Sequence, residues 1–221
     1  MPYKLSPSTL NLFRECPRCF WLQLKKDIKR PDTIFPSLPS GMDKIIKAHF
    51  DNFMEKGILP PELCKNDECK DLRLFNDKKL LEEWRNNRKG IQFKDKEGNI
   101  LKGAIDNILK KGNKLIVLDY KTRGYPLKED TAGHYQDQLD IYSFLLRKNN
   151  YETEDYAYLL FYHPKEVNKE GSIIFNTDLI KMKVNINNAE NIWKHALESL
   201  EQGMPEPDKD CEFCKWAEKC K

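Results

Sequence analysis

Apolar residues recur with a helical spacing in the first part of the chain. Ser6 and Pro7 predict the start of a first helix, because serine is a preferred N-cap residue and proline fits the first helical position. Apolar residues three and four positions apart predict further helices over residues 42–56 and 78–88. Three prolines within residues 31–41 predict a loop before the helix over residues 42–56.

Alternating apolar and polar residues begin at residue 91. Strands are predicted over residues 91–94, 100–109 and 114–121, and the turn signals between them indicate an antiparallel meander. The remaining elements are predicted as a helix over residues 132–148, strands over 156–162 and 172–175, and a helix over 189–202. This order of elements indicates an α/β or α+β fold with a sheet covered by helices.

Composition narrows the class of protein. The length of 221 residues suits one domain, and an apolar content of 39% is enough for a hydrophobic core. No apolar run approaches the ~20 residues that cross a membrane, and the first residues lack a signal-peptide pattern. The sequence therefore predicts a cytoplasmic protein without a membrane partner. Because the net charge is only +3, a nucleic-acid site has to be a local basic patch.

The seven cysteines occur in groups. They are Cys16 and Cys19, then Cys64 and Cys69, and finally Cys211, Cys214 and Cys220. In a chain without an export signal, such grouping indicates metal or redox chemistry rather than a disulfide framework.

Asp119 and Lys121 lie two positions apart in a predicted strand, so both point to the same side of it. Leu115 and Val117 share that side, and burying a charged pair costs several kcal/mol unless it is paired or binds a metal. Pairing with the preceding strand would bring Asp106 within reach of the same cation. Two carboxylates are typical ligands of Mg²⁺ or Mn²⁺, and a nearby lysine can orient water or stabilise developing charge.

His49 lies on the inward side of its predicted helix and could supply a nitrogen ligand, which favours Mn²⁺ over Mg²⁺. Each of these motifs alone is also typical of a surface salt bridge, a turn or a core histidine. Their combination in this order indicates a metal-dependent site.

The same residues resemble the motifs of the PD-(D/E)XK nuclease superfamily. The likeness is strongest to its RecB-like branch with an iron–sulfur cluster, which includes the AddB nuclease domain and the CRISPR-associated RecB-like exonucleases. It extends over nearly the whole chain. The segments that carry it are Ser6 to Leu10 with Cys16-Pro17-Arg18, Gly41 with His49, Gly103 to Asp106, Asp119-Tyr120-Lys121, Gln138 to Tyr142, and Cys211, Cys214 and Cys220.

The resemblance implies a restriction-endonuclease-like fold, in which helices flank a mixed central β-sheet, and one nuclease domain over residues 1–221. The metal ligands it implies are His49, Asp106, Asp119 and the backbone carbonyl of Tyr120. Lys121 would position or activate the attacking water. Gln138 and Tyr142, one helical turn apart, would lie beside the catalytic centre and the DNA.

The cysteines suit two different metal centres. In the family pattern, a 4Fe–4S cluster is bound by Cys16, Cys211, Cys214 and Cys220. The alternative is a structural Zn²⁺ bound by Cys16, Cys19, Cys211 and Cys214, which form two C-x2-C motifs. Iron–sulfur is the favoured interpretation, because zinc leaves Cys220 without a role. Either metal would join the two ends of the chain. Cys64 and Cys69 are either a second small site or surface thiols.

The resemblance predicts a divalent-metal-dependent nuclease that hydrolyses DNA phosphodiester bonds, as an exonuclease on single-stranded or frayed ends. Its implied partners are DNA and proteins of repair or CRISPR adaptation. Basic residues suited to a DNA backbone are Lys25, Lys26, Lys29, Arg30, Arg123 and Lys128, of which Arg123 is nearest to the catalytic strand. The alternative is a nucleic-acid-binding or assembly module that keeps the fold without cleavage.

Overall fold

A computed structural model describes residues 2–32, 34 and 36–220. The helices are α1 (Pro7–Glu15), α2 (Pro17–Lys26), α3 (Ser37–Glu55), α4 (Pro61–Cys64), α5 (Lys78–Arg85), α6 (Gln136–Lys148), α7 (Ile186–Glu201) and α8 (Glu212–Lys219). The strands are β1 (Lys4–Leu5), β2 (Arg73–Leu74), β3 (Ile91–Lys94), β4 (Ile100–Gly103), β5 (Asn107–Lys111), β6 (Lys114–Thr122), β7 (Tyr156–Val167) and β8 (Ile173–Lys183). Short 3-10 turns cover Asp67–Cys69 and Thr131–Tyr135.

The start of α1 confirms the prediction from sequence. The Ser6 hydroxyl accepts a hydrogen bond from the backbone of Thr9, and the Thr9 hydroxyl accepts one from the backbone of Ser6. Such reciprocal capping satisfies donors that have no partner inside the helix. The first helix ends just before Cys16, which is the single residue between α1 and α2. This interruption places Cys16 at the corner between the two helices.

The start of α3 differs from the prediction. The helix begins at Ser37, so Pro39 and Gly41 belong to it and not to the predicted loop over residues 31–41. Proline is tolerated here because the first backbone N–H groups of a helix have no partner inside the helix. The remainder of α3 agrees with the predicted helix over residues 42–56.

The strands form two sheets rather than one meander. One sheet has three strands in the order β1-β4-β3, and the other has five strands in the order β2-β5-β6-β7-β8. In the larger sheet β6 and β7 are parallel and the other neighbours are antiparallel, so this sheet is mixed. A mixed sheet flanked by helices is the fold class predicted from the sequence, and it is consistent with a restriction-endonuclease-like fold.

The predicted strand over residues 100–109 is interrupted. It ends at Gly103, and a new strand begins at Asn107 in the other sheet. Between them the backbone N–H of Ile105 bonds to the carbonyl of Trp84, outside either sheet. The interruption leaves Asp106 at the junction of the two sheets and not within a strand.

The larger sheet is covered on two sides. On one side α6 packs against β6 and α7, and every residue from Leu139 to Leu146 is buried. On the other side α3 contacts β6, where the ring of Phe50 lies 4.8 Å from the ring of Tyr120. Because side chains alternate along a strand, Asp119 and Lys121 face the α6 side. No helix among the described residues is long and apolar enough to cross a membrane.

Candidate active site and cysteine group

The pairing of β5 with β6 brings Asp106 to Asp119. Asn107 is paired with Leu118, so the residue before β5 comes to lie alongside the next residue of β6. One carboxylate oxygen of Asp106 accepts a hydrogen bond of 3.1 Å from the backbone N–H of Tyr120. The register therefore unites the two acidic motifs that the sequence separates.

Asp119 and Lys121 form an ion pair on the buried side of β6. The Asp119 side chain is 1% exposed, and its Oδ2 atom contacts the ammonium group of Lys121. Burial, and to a smaller extent the neighbouring Asp106 carboxylate, raise the pKa of Asp119 to about 7, and Lys121 opposes both effects. A second positive charge nearby, such as a metal ion, would stabilise the ionised form of this carboxylate.

Gln138 of α6 links this ion pair to Tyr142. Its amide oxygen accepts a hydrogen bond of 3.0 Å from Lys121, and its amide nitrogen donates to Asp119 at 3.3 Å and to the Tyr142 hydroxyl at 2.8 Å. Burial is the main cause of the raised pKa of Tyr142, and the negative charge of Asp119 also raises this pKa. The helix residues that the sequence places one turn apart thus belong to the same hydrogen-bonded network as the acidic pair.

Gly103 allows α6 to approach β4. A methyl group at this position would lie 2.8 Å from the Tyr142 ring and 2.9 Å from the Leu145 side chain. These distances are shorter than van der Waals contact, so only glycine leaves room for the ring. The glycine of one motif and the tyrosine of another are therefore in direct contact.

Two further residues touch the site and were not singled out from the sequence. Lys47 of α3 lies 2.8 Å from the second carboxylate oxygen of Asp106 and 2.8 Å from Asp43. The Tyr135 ring lies 4.5 Å from the Lys121 ammonium, a cation–π contact. Asp43 and Lys47 have the i, i+4 spacing of a helical ion pair, which in the sequence indicates only a surface contact.

His49 lies beside another acidic residue. Its ring nitrogen is 3.1 Å from the Glu62 carboxylate, which also accepts a hydrogen bond of 3.1 Å from the Tyr162 hydroxyl. Among the described residues, no three ligand atoms from histidine, aspartate or glutamate lie within 4.8 Å of one another. The structure thus brings Asp106 and Asp119 together but does not assemble the predicted set with His49.

Asp119 fits a divalent cation at this place. Its Oδ2 atom is buried and makes no hydrogen bond with any described residue, although it is paired with Lys121. Oxygen ligands with negative charge are those that Mg²⁺ and Mn²⁺ prefer. Asp106, Asp119 and the Tyr120 carbonyl would hold such an ion, and the ion would supply a Lewis acid for the scissile phosphate.

A second group, of four cysteines, joins the ends of the chain. Cys16 and Cys19 lie beside Cys211 and Cys214, with all four sulfur atoms within 4.8 Å of one another. Cys220 is exposed and lies outside this group, and so do Cys64 and Cys69. The fourth member is therefore Cys19, where the family pattern has Cys220. Four thiolates are compatible with an iron–sulfur cluster or with zinc.

Comparison with known proteins gives a family. The model of the PD-(D/E)XK nuclease superfamily matches residues 39–221, which is most of the chain. No curated protein matches the sequence. The matched region includes the acidic pair, Lys121, Gln138 and the C-terminal cysteines. The chain belongs to the PD-(D/E)XK nuclease superfamily.

Proposed function

We propose that the protein is a divalent-metal-dependent nuclease that hydrolyses DNA phosphodiester bonds. The observation that carries the proposal is the buried Asp119–Lys121 pair, held by Gln138 and placed next to Asp106. Burying a charged pair costs free energy of folding. Its presence in a member of a nuclease superfamily therefore favours a catalytic role over a structural one.

The side chains of the site divide the work of hydrolysis. Asp106, Asp119 and the Tyr120 carbonyl would hold the cation, and we keep His49 as a further candidate ligand. Lys121 is fixed from three sides by Asp119, Gln138 and the face of Tyr135, so its ammonium group is oriented before substrate arrives. In that position it can orient the attacking water or stabilise charge on the phosphate.

We further propose that the substrate is single-stranded DNA or a frayed end, attacked as by an exonuclease. Arg123 and Tyr125 follow the catalytic strand, and Tyr125 is 79% exposed. An exposed aromatic ring two positions along the chain from a basic residue suits the stacking of an unpaired base. Arg30 is less suited to DNA than the sequence predicted, because it contacts Cys211 and Glu15.

The remaining features of the proposal rest on the family resemblance and on composition. Residues 1–221 would form one nuclease domain, since one hydrophobic core extends from Leu5 to Leu200. The cysteine group would bind either a 4Fe–4S cluster or Zn²⁺. Association with repair or CRISPR adaptation proteins stays a prediction, as does the cytoplasm, which suits seven unpaired cysteines.

Hydrolysis of end-labelled single-stranded DNA with Mn²⁺ tests the proposal. We expect cleavage by the wild-type protein and a loss of about 100-fold or more in Asp119→Asn, because a metal ligand is removed. Asp140→Asn is the matched control, since Asp140 is also fully buried but bonds to Asn185 and Asn188. Equal cleavage by wild type and Asp119→Asn would contradict the proposed site.

The same assay separates the alternatives. A protein that binds the DNA but cleaves none of it under any metal condition would favour the non-cleaving binding module. A circular single strand of the same length distinguishes the mode of attack, because an exonuclease requires an end. Equal cleavage of linear and circular DNA would contradict the exonuclease proposal and leave the nuclease proposal intact.

A further inference from the structure

Three of the six sulfur–sulfur distances within the cysteine group match the spacing around a single bound ion, and all six lie within 4.8 Å. The sulfur of Cys16 lies 3.8 Å from that of Cys214, and the sulfur of Cys19 lies 3.6 Å from those of Cys211 and Cys214. Four thiolates at the ~2.3 Å Zn–S distance, arranged as a tetrahedron, stand about 3.8 Å apart. In a 4Fe–4S cluster each thiolate binds its own iron at a separate corner, which requires a wider spacing.

Arg30 supplies a positive charge beside these sulfur atoms. Its guanidinium donates a hydrogen bond of 3.7 Å to the sulfur of Cys211, and the group lies 4.6 Å from the ring of Phe213. Its Nε atom is buried and makes no hydrogen bond within the described part of the chain. Glu15 pairs with one nitrogen of this guanidinium, and an anionic neighbour on the side of the sulfur atoms would offset the remaining cost of its burial.

A four-thiolate zinc centre is such a neighbour. One Zn²⁺ with four thiolates carries a net charge of −2, and each thiol that binds releases its proton to the solvent. The backbone N–H of Asp208 also points to the sulfur of Cys16, at 3.5 Å. Hydrogen-bond donors that contact the ligand atoms, and not the metal itself, orient the ligands and stabilise their negative charge.

We propose that Cys16, Cys19, Cys211 and Cys214 bind one structural Zn²⁺ and that Arg30 stabilises this centre through its hydrogen bond to the sulfur of Cys211. Cys220 is then a free thiol, consistent with its exposed position after α8. The proposal reverses the preference for iron–sulfur that the family pattern suggests. It does not depend on the proposed nuclease activity, because metal content and spectra measure it directly.

Anaerobic purification with metal analysis tests the identity of the ion. We expect a colourless protein with one zinc per chain, retained in Cys220→Ser and lost in Cys19→Ser. Iron with visible charge-transfer absorption, retained in Cys19→Ser and lost in Cys220→Ser, would overturn the proposal. A wild-type protein that is free of metal and does not take up zinc would overturn it as well.

Cobalt substitution keeps the test decisive where Cys19→Ser does not fold. Co²⁺ in the wild-type protein is expected to give the absorption of a tetrahedral site with four thiolates, unchanged in Cys220→Ser. A spectrum of fewer thiolates, or a change in Cys220→Ser, would contradict the ligand set.

The role of Arg30 has its own comparison. Arg30→Gln is expected to weaken zinc binding about 10- to 100-fold, measured by competition with a chelator. Arg30→Lys keeps the charge and is expected to weaken it less. Arg14→Gln is the matched control, because Arg14 pairs with Asp137 at the surface. Equal zinc affinity for Arg30→Gln and Arg14→Gln would remove Arg30 from the centre.

Discussion

Asp119 is the residue at which burial and charge oppose each other most strongly. Its side chain is inaccessible to solvent, and the carboxylate of Asp106 lies on the same site. Lys121 offsets part of the cost, and Gln138 donates a hydrogen bond to the same carboxylate. A pKa of about 7 means that the proton and a metal ion compete for Asp119 close to neutral pH.

We therefore expect Mn²⁺ affinity to increase with pH. Asp119 is mostly protonated at pH 6 and mostly ionised at pH 8, because its pKa of about 7 lies between them. Affinity measured by titration calorimetry should be about tenfold weaker at pH 6 than at pH 8. Lys114→Ala, at the exposed beginning of the same strand, should keep this dependence and Asp119→Asn should lose it. The same wild-type affinity at both values would show that burial does not control the site.

At this scale the sequence predicts the strand residues better than their partners. Alternation along β6 indicates that Asp119 and Lys121 face one side, and the structure agrees. The contact of Lys47 with Asp106, and that of His49 with Glu62, join separate elements. Their packing depends on the whole fold, and neither pair has a local signal in the sequence.

At the scale of elements, the approach of α6 to β4 decides where Gln138 and Tyr142 lie. Gly103 makes this approach possible, since any side chain there would enter the space of the Tyr142 ring. A change at Gly103 acts on the site only by displacing the helix.

Gly103→Ala should destabilise the protein by about 1–3 kcal/mol, because a methyl group overpacks the contact between β4 and α6. DNA cleavage should fall with it, as Gln138 moves away from Lys121. Denaturant unfolding and the cleavage assay measure the two effects. Gly133→Ala is the control, because no atom lies within 4 Å of a methyl group there. Unchanged stability in Gly103→Ala would contradict the tight contact.

The boundaries of elements could be predicted only where the signal is local. The capped start of α1 was predicted correctly from the sequence, whereas α3 begins earlier than its prolines indicated. β7 continues through Pro164, where its pairing with β8 shifts register. Proline inside a strand indicates a break unless such an irregularity accommodates it, and that depends on the partner strand.

At the scale of the whole molecule, two sheets and two sites share one chain. The mixed α/β class follows from the order of helices and strands, but the division into two sheets does not. It depends on the change of direction between Gly103 and Asn107, within a segment whose pattern is that of one strand. The cysteine group brings together residues 198 positions apart in the chain. The alternation of apolar and polar residues that predicts the strands gives no information about this contact.

Single-turnover cleavage by Lys121→Ala tests the central claim most directly. With saturating Mn²⁺ and single-stranded DNA, we expect the cleavage rate constant to fall about 100-fold or more while DNA binding is retained. Lys114→Ala, at the exposed beginning of the same strand, is the control and should cleave as the wild type does. A Lys121→Ala rate constant within about twofold of the wild-type value would contradict the catalytic assignment of this site.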